Sequence, residues 1–180
     1  MNKKDTKGPG FIQVYTGNGK GKTTASLGLA LRAAGHGYKS IIIQFMKGKI
    51  DYGELKAQKM LSPYLKIVQA GGPHFIKRGS PSEQDIKMAR KGLKTAQQAL
   101  TGRKYNIVIL DELNVAIDFG LIPLKDALEL ISHKPPDVEL IITGRYAKQE
   151  IIDRADLVTE MREIKHYYHK GVQARDGIEK

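Results

Sequence analysis

The sequence predicts an α/β fold with a mostly parallel central sheet, on three observations. Runs of β-formers alternate with stretches of helical spacing along the whole chain. The first run, FIQVY, opens into the glycine-rich TGNGKGKTT and then into a helical pattern. A later run, IVIL, ends on the paired acids Asp111 and Glu112. A parallel sheet delivers loops and acids of this kind to one edge, the carboxyl ends of its strands. The 180 residues suit a single domain, expected over 11–180, behind a polar and mobile arm, Met1–Gly10.

The elements follow in order. Phe11–Tyr15 reads as the first strand. From Thr23 the apolar residues Ala25, Leu27, Leu29, Ala30 and Leu31 mark a helix closed by Gly35. Ser40–Phe45 is a buried type of strand, followed by Lys47, Gly48 and Lys49. Glu54–Leu61 suits a short helix and Leu65–Gln69 a third strand. The stretch Ala70–Gly79, AGGPHFIKRG, is rich in glycine and cation and reads as a loop. Ser80, Pro81 and Glu83 fit a capped helix start. Ile86, Ala89, Leu93, Ala96 and Leu100 carry that helix to Gly102. Asn106–Leu110 is a strand, 124–132 a helix, Val138–Thr143 a strand, Ile151–Arg154 helical and Leu157–Met161 a last strand. Ile164–Lys180 reads as a polar tail.

Composition narrows the function. There is no cysteine, so disulfides, iron–sulfur clusters and thiolate zinc sites are excluded. This fits a cytoplasmic setting. No apolar run is long enough to span a bilayer, and MNKKDTKGPG lacks the apolar core of a signal peptide, so no membrane partner is expected. The net charge of +11 points to anionic partners. The lysines are spread along the chain, however, with no basic tail, which favours a solvated basic surface over a nucleic-acid site.

The chemistry sits in the strand–loop–helix at the start. Gly17, Gly19 and Gly21 allow backbone N–H groups to turn towards phosphate oxygens, at the positive end of a helix. Lys22 is placed to reach the terminal phosphates, and the Thr23 hydroxyl to bind Mg²⁺. Thr16 stands where a phosphate loop ordinarily has its first glycine, and Lys20 is an extra cation. Asp111 and Glu112, at the end of a buried strand, suit a metal held near that loop. Two readings are open for Arg145, phosphate neutralisation or ordinary surface placement. Two are open for Phe75, contact with a planar ligand or anchoring of its loop. His166 and His169 lack a third metal ligand. The residues alone therefore read as a Mg²⁺–nucleotide enzyme or switch, without naming the reaction.

The stretches TGNGKGKTTASLGLALRAAGHG, IIIQFMKG, VILDELNVAIDFGLIPLKDALELI, LIITGR, ADLVTEMREIKH and GVQARDGIE resemble the ATP:corrinoid adenosyltransferases of cobalamin salvage and biosynthesis, in the same order. The resemblance implies a RecA-like, P-loop α/β fold and a homodimer. It implies transfer of the 5′-deoxyadenosyl group of ATP to a Co(I) corrinoid, with release of triphosphate. ATP is implied to lie reversed in the loop, exposing C5′. Gly17, Asn18, Gly19, Lys20, Gly21, Lys22, Thr23 and Thr24 are implied to hold ATP, with Arg145. Thr23 and Glu112 are the implied metal ligands, with Asp111 in support, and a flavoprotein the implied reductant. One departure stands out. The family's G-F-T-W type segment is replaced by GGPHFIKRGS, which keeps Phe75 as the candidate corrinoid contact but has no tryptophan. A nucleic-acid-stimulated RecA-like ATPase and a non-catalytic nucleotide switch or corrinoid carrier are the alternatives.

Overall fold

The computed structural model describes residues 9–48 and 52–180. Of the expected N-terminal arm, residues 1–8 lie outside the described residues, as does Lys49. Six strands form one parallel sheet: β1 (Ile12–Thr16), β2 (Ser40–Phe45), β3 (Leu65–Ala70), β4 (Ile107–Asp111), β5 (Glu139–Thr143) and β6 (Leu157–Glu160). Their spatial order is β3-β2-β4-β5-β1-β6. The loop-bearing β1 and the acid-bearing β4 are thus one strand apart, with β5 between them.

Helices cover both faces. They are α1 (Lys22–Gly35), α2 (Gly53–Met60), α3 (Glu83–Thr101), α4 (Leu113–Asp118), α5 (Leu124–Ser132) and α6 (Gln149–Ile152). Strands buried on both sides read as continuous apolar runs, and β2 shows why. Ile41, Ile43 and Phe45 face one core, with α3, α4 and α5, while Ile42 faces the other, with α1. That alternation puts Gln44 on the Ile42 side, and its register partner on β4 is Asp111. The polar end of the sheet therefore opens beneath α1 and α2. Gly92 lets α3 lie close on the sheet, because a Cβ there would sit 2.4 Å from Ala70 Cβ.

Four expectations need correction. The α3 cap is Ser82, not Ser80: Asp85 N–H donates to the Ser82 hydroxyl, and the Asp85 carboxylate accepts from Ser82 N–H. The reciprocal pair outweighs the proline signal, since Asp85 rather than Glu83 is in reach. Helix α4 was not expected at all; its N-cap is Glu112, which adopts a left-handed φ of 62°. The helix expected at Ile151–Arg154 spans Gln149–Ile152. In α1, Ala25 and Leu31 face outward, and Ser26, Ala30 and Ala33 make the buried stripe. Small side chains are what allow α1 to approach the strands. Among the described residues, no helix is long and apolar enough to cross a membrane.

Candidate active site

The loop between β1 and α1 is held from behind and from within. Gly17 and Gly21 have φ of +92° and +122°, a region open to glycine. A Cβ on Gly17 would come within 2.5 Å of the Met161 carbonyl oxygen, just past β6. Gly19 N–H donates to that same carbonyl at 2.7 Å. This N–H is therefore turned to the protein, not to a ligand, contrary to expectation. Lys22, expected to reach the terminal phosphates, is engaged by the loop's own carbonyls. It is buried, and its ammonium donates to the carbonyls of Gly17 and Gly19, both at 2.7 Å. Burial lowers its pKa and Arg145 adds to this, while Glu112 and Asp111 pull the other way.

The acid strand meets this loop directly. Thr23 hydroxyl donates to Asp111 Oδ1 at 2.8 Å, and Thr143 hydroxyl donates to the same oxygen at 2.8 Å. Lys47 Nζ donates to Asp111 Oδ2 at 3.0 Å. Asp111 is fully buried and fully engaged. Glu112 is half-buried and lines the cleft; its N–H donates to Thr143 Oγ1 at 3.0 Å, which fixes its unusual backbone. Burial raises the Glu112 pKa, and the neighbouring Asp111 charge raises it further, against Lys47, Lys22 and Arg145. An acid pushed up in this way is short of positive charge, and with the Thr23 hydroxyl it makes an all-oxygen donor set suited to Mg²⁺. Among the described residues, no cluster of three or more His, Asp or Glu could hold a metal alone. Such an ion would complete its shell with phosphate and water.

Arg145 stands where β5 ends and lines the same cleft, and its charge acts on both Lys22 and Glu112. Thr24 lines the cleft too, whereas Asn18 borders a smaller polar pocket that shares Arg145. Lys20 lines the cleft as well, with its ammonium donating to the Ile178 carbonyl at 2.9 Å and pairing with Glu179 at 3.6 Å. Phe75 is fully exposed, so the anchoring reading fails; Ile76 beside it is what packs on the core. His166 reaches the cleft, and His169 pairs with Glu163 at 2.7 Å.

Lys47 was not singled out from the sequence, nor were Gln44 and Glu54. Gln44 donates to Glu54 at 2.9 Å, and Lys47 lies 3.8 Å from Glu54. Burial alone would lower the Lys47 pKa, but Asp111, helped by Glu54 and Glu112, raises it above the ordinary value. No local sequence pattern marks this trio; the pairing of β2 with β4 sets Gln44 beside Asp111, and Lys47 follows just past β2.

The cleft above these groups has a volume of about 840 Å³, inside the range of ~300–1,000 Å³ common for small-molecule sites. The family model for the ATP:corrinoid adenosyltransferase BtuR/CobO/CobP matches residues 8–179. The chain belongs to this family. The corrinoid adenosyltransferase of Escherichia coli K12 is 36% identical over 170 residues, covering 94% of this chain and 85% of that one. That of Pseudomonas aeruginosa is also 36% identical, with 94% and 83% covered. Corrinoid adenosyltransferase CobA of Salmonella typhimurium is 35% identical, with 94% and 85% covered. Among solved structures, the flagellar accessory protein FlaH of Methanocaldococcus jannaschii aligns with a TM-score of 0.57. It is 13% identical, covering 84% of this chain and 71% of that one, and so supports the α/β fold alone. Membership in the family makes ATP and a corrinoid the two substrates of this enzyme.

Proposed function

We propose that this enzyme adenosylates the Co(I) centre of a corrinoid at the β1–α1 loop, using Mg²⁺-ATP and releasing triphosphate. The observation that carries the reading is the Thr23–Asp111 hydrogen bond of 2.8 Å, which joins the phosphate loop to the acid strand. In the reaction a Co–C5′ bond forms as the C5′–O bond breaks, and the electron pair leaves with the triphosphate. The reduced cobalt is the nucleophile, so the chain needs none of its own. Charge grows on the leaving oxygen, and that is where cations help most. The main chain of the 17–24 loop and the N-terminus of α1 hold the triphosphate, and Lys22 and Arg145 offset its charge. Lys22 exchanges its two carbonyl partners for phosphate oxygens, which it does readily because neither is a full charge.

Thr23 and Glu112 would hold Mg²⁺, with Asp111 orienting the Thr23 hydroxyl through Oδ1. The ion supplies electrostatic stabilisation of the leaving triphosphate. ATP lies with C5′, not its terminal phosphate, towards the acceptor. Phe75 and its loop face the corrinoid. The enzyme works as a cytoplasmic homodimer fed with electrons by a flavoprotein, a reading supported by the family resemblance.

The deciding assay is anaerobic, with Mg²⁺-ATP and chemically reduced cobalamin, following Co–C bond formation optically and triphosphate by chromatography. Triphosphate should appear only with reduced corrinoid. ADP and phosphate released without corrinoid, and faster with DNA, would instead establish a nucleic-acid-stimulated ATPase.

A further inference from the structure

Two adjacent acids end the buried strand β4, and they stand differently. An ionised carboxylate has about four acceptor positions, two on each oxygen. In Asp111, Oδ1 accepts from the hydroxyls of Thr23 and Thr143, both at 2.8 Å. Oδ2 accepts from the Lys47 ammonium at 3.0 Å and from the Gln44 amide at 3.4 Å. These four donors use up the carboxylate, which is fully buried. Glu112 lines the cleft instead. Of the two acids, one is spent on the protein and the other is turned to the site.

Lys47 is built into its place. Met46 has a left-handed φ of 62°, which turns the chain sharply as β2 ends. A Cβ on Gly48 would run into the Gly71 carbonyl, and one on Gly71 would come 2.5 Å from Lys47 N. The main chain at Lys47 is therefore packed against a second stretch of backbone. Its side chain lies over the Tyr52 ring, with Nζ 5.2 Å from the centre, and reaches Glu54 at 3.8 Å as well as Asp111. Only 17% of that side chain meets solvent. Yet Lys47 lines the same cleft as Glu112, and its charge acts on Glu112. One ammonium thus holds the buried acid and faces the site of the other.

We propose that Lys47 is a positioning residue of the metal site, which keeps Asp111 off the metal and on the Thr23 hydroxyl. The inference deepens the reading that Thr23 and Glu112 hold Mg²⁺, and rests on it. Without Lys47, Asp111 Oδ2 becomes a second carboxylate oxygen beside Glu112. Two carboxylates hold a divalent cation without nucleotide better than one does, since affinity follows the charge of the ligands. With Lys47 in place, the protein offers one carboxylate and one hydroxyl, and phosphate oxygens and water supply the rest. Such a site takes its metal with the triphosphate and gives it up with the triphosphate. That suits a reaction whose inorganic product is the whole phosphate chain.

Mn²⁺ without nucleotide is the probe, because paramagnetic resonance counts the free ion in the presence of the full-length protein. Wild type should bind it weakly. Lys47→Met should bind it at least about tenfold more tightly, having lost a cation and gained a carboxylate. Lys47→Gln removes the same charge but keeps a donor for Oδ2, so its gain should be smaller. Lys47→Arg should match wild type, and adding Asp111→Asn to Lys47→Met should abolish the gain. A folded Lys47→Met that gains nothing overturns the proposal. That variant leaves a buried carboxylate without its cation, so circular dichroism checks its fold. Where it does not fold, Lys47→Gln carries the test, and no gain there overturns the proposal equally. Equal gains in the two would make Lys47 a source of charge alone and remove its positioning role. The underlying reading is tested apart from Lys47: wild-type turnover of Glu112→Gln at limiting Mg²⁺ would overturn the metal site itself, and the proposal with it.

Discussion

The phosphate loop and the 70–79 loop are both glycine-rich and cationic, yet they are built in opposite ways. In the first, nearly every polar group has a partner: Lys22 on two carbonyls, Thr23 on Asp111, Gly19 N–H on Met161, Lys20 on the Ile178 carbonyl. In the second, Phe75 stands in solvent, while Ile76 packs on the core and Arg78 pairs with Asp118 at 2.7 Å and stacks on the Tyr146 ring. The first is preorganised for charge that develops in the reaction. The second leaves its largest apolar side chain for something outside the chain to cover. On the proposed reading, one half of the site is complete in the fold, and the corrinoid completes the other. Substitutions in the two loops should separate accordingly.

The largest effect is expected at Lys22. Lys22→Ala should lower kcat/KM by at least about 100-fold, as loss of a transition-state cation does. Calorimetry should show ATP binding lost with it, while the circular dichroism of the fold persists. An unchanged ATP affinity would show that the loop is not preorganised for phosphate. Glu112→Gln comes next. Turnover at limiting Mg²⁺ should fall by about tenfold or more, and nucleotide affinity by less. Stability should move the other way. The Glu112 pKa is raised in the fold, so the folded state favours the protonated acid. In metal-free protein the charged form then costs stability at neutral pH, and the glutamine variant should melt at a higher temperature. The gain should vanish below about pH 4, where glutamate is protonated folded and unfolded alike. A lower melting temperature at pH 7 would contradict that electrostatic picture.

What could be read from the sequence follows the same division. The phosphate loop and the acid strand are local patterns: a glycine loop between strand and helix, and two acids after IVIL. A mostly parallel sheet followed from the alternation of strands and helices, but the order of its strands did not. Lys47 was not legible, because its role depends on β2 lying beside β4, which no local pattern reports. Helix α4 was hidden because it is six residues long and is started by a left-handed glutamate. The turn at 175–180 looked like a polar tail, since its order comes from the Glu179 carboxylate and not from periodicity. Phe75 could not be assigned from sequence because exposure, not composition, separates an anchor from a contact.

Phe75→Ala should therefore show the reverse of Lys22→Ala. A fully exposed ring contributes nothing to the core, so stability should stay within about 0.5 kcal/mol of wild type. ATP affinity should be unchanged. Corrinoid affinity should fall by about five- to tenfold, the value of one aromatic contact. The four-coordinate Co(II) fraction, read by magnetic circular dichroism with ATP bound, should fall as well. A variant that melts early but keeps its corrinoid affinity would return Phe75 to a structural role.

The smallest effect is expected where the two regions touch. Asp118 ends α4, which Glu112 caps, and it accepts from Lys148 at 2.9 Å while pairing with Arg78 of the 70–79 loop. Burial alone would raise its pKa, but Lys148 and Arg78 together hold it below the ordinary carboxylate value. A depressed carboxylate adds stability above its unfolded pKa, and loses it as pH falls through the folded one. The stability difference between wild type and Asp118→Asn should hence be present at pH 7 and fade below about pH 4. Arg78 is mostly exposed, so Arg78→Ala should cost no more than about 1 kcal/mol. Its sharper consequence is kinetic. Freed from Asp118, the loop has more conformations to lose on binding corrinoid, and KM for corrinoid should rise severalfold with KM for ATP unchanged. If KM for ATP rises in step, the 70–79 loop and the phosphate loop are one unit coupled through α4, and the contrast between them does not hold.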